Sequence, residues 1–93
     1  MMPGSSTSRI RISADVLYQR VDAEAVLLDL HSERYFGLNA VGARMWELLA
    51  ADVSIGAIPA LIAKEFRADP ERIQDDLAAL VADLLQAGLV QQV

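Results

Sequence analysis

The side chains that could do chemistry in this chain are few, and they favour binding over catalysis. His31 is the single histidine, and the sequence contains no cysteine, so thiol nucleophiles, thiolate metal ligands and disulfides are excluded. Asp75 and Asp76 are neighbours in a predicted helix, so their carboxylates point to different sides and do not form a shared acid/base site. No catalytic triad, metal-ligand spacing or glycine-rich phosphate loop can be built from these residues. The sequence therefore predicts a protein that is not an enzyme and needs no cofactor.

The main chain between Arg34 and Leu38 offers a different kind of chemistry. This segment, RYFGL, is the last of three predicted strands, so one of its edges is expected to stay open. An open edge carries unpaired N–H and C=O groups, which a protein must blunt, cover or use to bind an extended peptide. Gly37 has no side chain to obstruct an approaching backbone, while Tyr35 and Phe36 supply large contact surfaces beside it. The pattern favours peptide binding.

The elements that position this strand are predicted from alternation, helical spacing and capping residues. Strands are expected at Val16 to Val21, Glu24 to Leu30 and Arg34 to Leu38, with polar turns between them. Three helices follow: one capped by Asn39 and running over 40–51, one capped by Ser54 and ending near Phe66, and one capped by Asp69 and ending at Ala87 before Gly88. Pro59 is tolerated only near a helix start, so the second helix either contains it in its first turn or begins later. The prediction is an α+β domain of the winged-helix type.

Composition limits the class of protein further. The 93 residues are 54% hydrophobic and carry a net charge of −5, which indicates one compact domain over residues 11–93 after a flexible tail over 1–10. The acidic balance disfavours nucleic-acid binding, which depends on Lys and Arg neutralising phosphates. The start has no apolar signal-peptide core, and no later run approaches the roughly 20 apolar residues of a membrane span. We expect a soluble cytoplasmic protein with no membrane partner.

Three segments carry a resemblance to a known family: LLDLHSERYFGLNAVGARMWELL, the helix start DPERI and the closing LLQAGLV. Together they resemble the PqqD-like family over roughly Val16 to Val90, and the most specific part is the strand with Leu38-Asn39, Gly42 and Trp46. The resemblance implies a recognition element for ribosomally made, modified peptides, which binds a precursor's leader and presents its core to a modifying enzyme. The Tyr-Phe pair before Gly-Leu-Asn is similar to the lasso-peptide branch.

The resemblance also implies where the leader binds. The leader would add as a further strand to Arg34–Leu38 and lie in a groove bounded by the third helix. On that helix we expect Leu80 and Leu84 to form an apolar floor and Asp76 and Asp83 an acidic rim, since these positions fall on adjacent stripes. The expected partners are a precursor leader peptide and a leader protease, maturase or cyclase, and the chain itself is expected to be a monomer or weak dimer.

Other interpretations of the same residues stay open. Phe36 and Leu38 are also suited to a core, because a three-stranded sheet needs an inward face, and Trp46 is expected to anchor that core. Asp75, Asp76 and Asp83 are also typical of a solvated helix face. A winged-helix DNA-binding regulator shares the predicted architecture, although the expected recognition helix offers only Lys64 against Glu65. A structural subunit that dimerises through its open strand is a third possibility.

Overall fold

The computed structural model describes residues 10–92, and within that range the chain forms five strands and three α-helices. In chain order these are β1 Ile10–Ile12, β2 Val16–Val21, β3 Glu24–Asp29, β4 Arg34–Leu38, α1 Ala40–Ala50, α2 Ile58–Phe66, α3 Pro70–Gln86 and β5 Val90–Gln92, with a 3₁₀ turn at Ile55–Ala57 before α2. The predicted α+β class, a three-stranded antiparallel sheet followed by three helices, is confirmed. Most of the predicted tail, residues 1–9, lies outside the described residues, and Ile10 already belongs to β1.

The three-stranded sheet has the order β2-β3-β4, and both of its pairings are antiparallel. Its strands alternate as predicted, because successive side chains point to opposite faces. Ala25 and Leu27 are buried on the face toward the helices, whereas Val26 and Leu28 are only half-buried on the other face. The helices therefore cover one face of the sheet and leave the other to solvent in the described structure.

Local capping explains two of the three helix starts. The side chain of Asn39 accepts a hydrogen bond from the Gly42 N–H at 2.8 Å, and that of Asp69 accepts one from the Glu71 N–H at 3.0 Å. Ser54 was expected to cap α2, but its side chain forms no capping bond and a 3₁₀ turn follows it. Helix α2 begins at Ile58, with Pro59 in its first turn, where the missing N–H costs least.

The core is built as two adjoining clusters. One joins the sheet to α1 and to the end of α3, and includes Leu27, Leu38, Trp46 and Leu84. The other joins the three helices. Trp46 is the predicted core anchor, with 3% of its surface exposed. Leu80 packs against both clusters and is only half-buried, so it lies where the core meets the surface.

A second, two-stranded sheet was not predicted. Strands β1 and β5 pair antiparallel with Ile10 opposite Gln92 and Ile12 opposite Val90, and the Ser13 N–H donates to the Leu89 carbonyl at 3.0 Å. Gly88 takes a left-handed φ of 77° after α3 and turns the chain back toward this sheet. The pairing joins the two ends of the described chain. None of the described helices is long and apolar enough to cross a membrane.

Candidate functional site

Strand β4 is an edge strand of the three-stranded sheet, and its side chains follow the predicted alternation. Leu38 is buried and Phe36 half-buried on the helix side, whereas Tyr35 is 74% exposed on the outer side. A Cβ atom added to Gly37 would meet nothing within 4 Å, so the space beside this residue is open. Because β3 occupies one edge of β4, the other edge is left with backbone groups that no described strand pairs.

A polar turn sets the direction of β4. The carboxylate of Asp29 accepts hydrogen bonds from the His31 N–H at 3.0 Å and from the Ser32 hydroxyl at 2.8 Å. These bonds favour the ionised form, so the Ser32 hydroxyl, followed by the His31 N–H, holds the pKa of Asp29 below its ordinary value. Glu33 closes the turn with a left-handed φ of 61°, and its N–H donates to the Asp29 carbonyl. The only histidine is thus a turn residue that supplies a backbone donor.

The motif after β4 fixes how the strand enters α1. Besides receiving the capping bond, Asn39 lies against Gly42, where an added Cβ would be 3.3 Å from the Asn39 Oδ1 and 3.5 Å from the Leu38 Cδ2. A larger residue at position 42 would therefore force Asn39 or Leu38 to move. This contact gives a structural reason for the combination of Leu38, Asn39 and Gly42.

A groove of about 420 Å³ runs between β4 and α3. It is lined by Phe36, Gly37, Leu38, Asn39, Val41, Gly42, Met45, Asp76, Ala79, Leu80 and Asp83. Six of the predicted site residues therefore come together here: Phe36, Gly37, Leu38, Asp76, Leu80 and Asp83. Arg34 and Tyr35 are exposed on β4 but do not line the groove. Leu84 is 0% exposed and lies in the core below it, because the chain turns back after α3 and packs Leu89 and Val90 in the same cluster.

The groove combines an apolar floor with two carboxylates. Leu80, Val41 and Met45 supply apolar side chains, and Asp76 and Asp83 are the only ionisable side chains among the lining residues. Both aspartates are exposed, and neither forms an ion pair or a side-chain hydrogen bond within residues 10–92. The groove therefore carries negative charge that no described side chain neutralises.

By contrast, Glu47, which lies outside the groove, has hydrogen-bond partners on both carboxylate oxygens. One carboxylate oxygen of Glu47 accepts from the Tyr18 hydroxyl and from Arg20, each at 2.5 Å, and the other lies 3.3 Å from Arg44. The hydrogen bond from Tyr18, followed by that from Arg20, holds the pKa of Glu47 below its ordinary value. Burial and the same bond to Glu47 raise the pKa of Tyr18. This cluster ties the helix side of β2 to α1, and both carboxylate oxygens of Glu47 have partners in it.

The outer face of the sheet carries an apolar surface that was not predicted from the sequence. The registers place Leu17 opposite Leu28 and Leu28 opposite Tyr35, which forms one apolar row across all three strands. Leu17, Val21 and Leu30 are each more than half exposed. We define this row with Val21, Val26 and Leu30 as the outer sheet face. The available signal in the sequence is alternation, which puts Val26, Leu28 and Leu30 on one face of the strand.

A second depression, of about 600 Å³, lies on the other flank of α3, against the start of α2. Its walls include Ile55, Pro59, Leu77, Val81 and Leu85. No strand edge borders it, so it offers side-chain contacts without a row of backbone partners. It is therefore less suited to an extended peptide than the groove beside β4.

Residues 24–90 match the family described as Coenzyme PQQ synthesis protein D (PqqD). The chain belongs to the PqqD family. Among solved structures, the chain is similar to "TbiB1 in Complex with the TbiA(beta) Leader Peptide", with 34% identity and a TM-score of 0.80 over 87% of this chain and 94% of that one. It is also similar to "Lasso peptide synthetase B1 complexed with the leader peptide", with 25% identity and a TM-score of 0.79 over 89% and 98%. No curated protein matches the chain. The predicted PqqD-like resemblance is confirmed.

Proposed function

We propose that this PqqD-family protein is a non-catalytic recognition module that binds the leader region of a ribosomally synthesised precursor peptide. The observation that carries the proposal is an open strand edge beside a groove, in a fold that is similar to two solved structures with bound leader peptides. The leader adds to β4 as a fourth strand, so that its main chain pairs with the free edge and alternate side chains enter the groove.

The contacts of the groove suit this role. Gly37, the fourth of the five residues of β4, leaves open space beside the strand, which lets a second backbone approach. Phe36 and Leu38 point toward the core side, where they connect the strand to the groove floor. Main-chain bonds give affinity with little sequence preference, so the selectivity for a particular leader comes from the floor at Leu80 and the flanking Asp76 and Asp83.

We further propose that the module delivers its leader to a modifying enzyme or leader protease in the cytoplasm. The outer sheet face supports this role, because contiguous exposed apolar patches mark protein interaction sites more often than isolated exposed side chains do. It is separate from the groove, although both border β4. A bound leader and a partner enzyme can therefore contact the module at the same time, while the module itself stays a monomer or weak dimer.

A DNA-binding regulator draws little support from the basic side chains. Helix α2 carries Lys64 as the basic residue of its last turn, and Arg44, which faces that helix from α1, is engaged by Glu65 at 3.0 Å. A DNA reader would present several unpaired Arg, Lys, Asn or Gln side chains on one helix.

The test is a titration of the ¹⁵N-labelled protein, followed by amide NMR, with the leader portion of each short precursor peptide encoded near its gene. Leader binding predicts saturable shifts in residues 34–38 and along α3 from Asp76 to Asp83. Two versions of the leader, N-methylated on alternate sets of backbone amides, distinguish strand addition from docking through side chains alone. Methylation of one alternate set should abolish binding and methylation of the other should not, because only one set faces β4. Equal effects of the two sets would contradict strand addition, and shifts with duplex DNA alone would favour the regulator.

A further inference from the structure

The charge of the groove specifies the chemistry of its ligand more closely than the fold does. Asp76 and Asp83 have no described ionic partner, whereas Glu47 and Glu65 are held by arginines. The whole chain adds to this potential, since its net charge is −5. A ligand that covers the groove removes water from both carboxylates, and leaving them without partners would then cost affinity.

The spacing of the two carboxylates sets the spacing of the groups that would pair with them. Asp76 and Asp83 are seven residues apart on α3, which is about 10 Å along the helix and nearly two full turns, so both point to the same side. Leu80 lies between them on the groove floor. The two charges therefore flank one apolar contact.

An extended peptide can match this arrangement. Side chains on one face of a strand recur every second residue, at about 6.7 Å, so the first and third such side chains are about 13 Å apart. This spacing is longer by ~3 Å than the distance between Asp76 and Asp83 along α3. The long, flexible side chains of Lys and Arg at the two positions can make up that difference. The central side chain of the three then lies over Leu80.

We propose that the leader taken by this groove presents a cationic side chain, an apolar side chain and a second cationic side chain at alternate positions. The cations pair with Asp76 and Asp83, and the apolar group packs on the half-buried Leu80 and Val41. This inference rests on the proposed function, because it assumes that an extended peptide occupies the β4 edge. It adds the ligand's charge pattern, which the strand edge alone does not specify.

The test is a selection of random 12-residue peptides, displayed on phage, against the immobilised full chain and two variants. One variant, Asp76→Asn with Asp83→Asn, removes both groove charges. The matched control, Glu71→Gln with Asp75→Asn, removes two charges from α3 at residues that do not line the groove. We expect the wild type and the control to enrich Lys or Arg two positions on either side of an apolar residue. The groove variant should lose that enrichment and bind the selected peptides about tenfold more weakly.

The outcomes separate this inference from the proposed function. The selected peptides are resynthesised with alternate amides N-methylated, to establish whether they bind through a strand edge. Peptides that need their backbone donors but show no cationic enrichment would overturn the charge pattern and leave strand addition intact. Enrichment that persists on the groove variant would overturn the assignment to Asp76 and Asp83. If no selected peptide loses binding when its backbone amides are N-methylated, both the charge pattern and strand addition to β4 would be overturned.

Discussion

Strand β4 borders two surfaces that expose different kinds of chemical group. Its outer edge, with the groove toward α3, offers backbone hydrogen-bonding groups and two carboxylates that no residue in 10–92 pairs. The outer sheet face offers apolar side chains such as Leu17 and Tyr35 and has few charges. The backbone groups of the edge can pair with any extended chain, and the carboxylates of the groove favour a chain with positive charge. An apolar face instead needs a partner with a complementary shape.

Under the proposed function, the two surfaces would hold different partners. The groove is suited to a flexible peptide, because strand pairing orders the peptide as it binds. The outer sheet face is suited to a folded protein, because its side chains are already fixed by the strands. The surfaces meet at Tyr35 and Gly37, so a bound leader would extend the sheet that the second partner contacts.

The largest expected effect is a loss of stability, and it distinguishes Leu84 in the core from Leu80 on the groove floor. Leu84→Ala should lower the free energy of unfolding by about 2–5 kcal/mol, because it leaves a cavity in the core. It should leave leader affinity unchanged at temperatures where the variant is folded. Leu80→Ala should cost less stability, since Leu80 is half-buried, and should weaken leader binding several-fold. Urea unfolding and calorimetric titration measure the two quantities, and a greater loss of affinity in Leu84→Ala would contradict this division.

The next effect tests the free edge. Gly37→Pro should weaken leader binding by roughly tenfold or more, because proline removes a backbone donor and adds bulk within the strand. Gly37→Ala is the matched comparison and should weaken binding much less than Gly37→Pro, since it keeps the backbone N–H and its Cβ meets no atom of the free protein within 4 Å. Circular dichroism checks that the helices persist. Unchanged affinity in a folded Gly37→Pro variant would contradict strand addition, and if the variant does not fold, the N-methylated leaders test the same contact.

A third effect is expected on the outer sheet face alone. Leu17→Lys should slow processing of the precursor by the proposed partner enzyme by about tenfold, because it puts a charge into the apolar row. Its leader affinity should stay within about twofold of wild type, since Leu17 is on β2, away from the groove. Leu61→Lys is the control, because Leu61 is 47% exposed but lies on α2. Equal slowing in both variants would indicate that the outer sheet face has no special role.

Local signals were enough to predict most of the elements that build the groove. Alternation predicted β4 with its outward Tyr35 and inward Leu38, and the capping residues Asn39 and Asp69 predicted two helix starts. These features depend on neighbouring residues only, so they are present in the sequence itself. Asp76 and Leu80 were predicted to line the groove, and they do so, because they share a helix surface.

Features that depend on distant contacts could not be predicted. The β1 and β5 strands are three residues each and form only because the two ends of the described chain meet. The placement of Leu84 has the same origin, since Leu80 and Leu84 share a stripe but only Leu84 is covered when the chain turns back at Gly88. The outer sheet face was missed because alternation shows which side chains share a face, and not whether another element covers it.

The smallest expected effect concerns the contact that lies outside both surfaces. Glu47 has a pKa below its ordinary value, so its bonds to Tyr18 and Arg20 contribute stability above the ordinary glutamate pKa, about 4.3, and this contribution is lost as the pH falls through the lowered value. Glu47→Gln should therefore unfold more easily near neutral pH, by on the order of 1 kcal/mol, and its stability should depend less on pH in the acid range. Tyr18→Phe removes the hydrogen bond that is the largest cause of the lowered Glu47 pKa. Its stability should lie between those of wild type and Glu47→Gln.

Urea unfolding of the three proteins at neutral and acid pH measures this dependence, with leader affinity at neutral pH as the second readout. The affinity should match wild type in both variants, because Glu47 and Tyr18 do not line the groove. A variant that loses affinity as well as stability would show that the groove depends on how β2 is held against α1. In that case the edge of β4 and the helix side of the sheet would act as one unit.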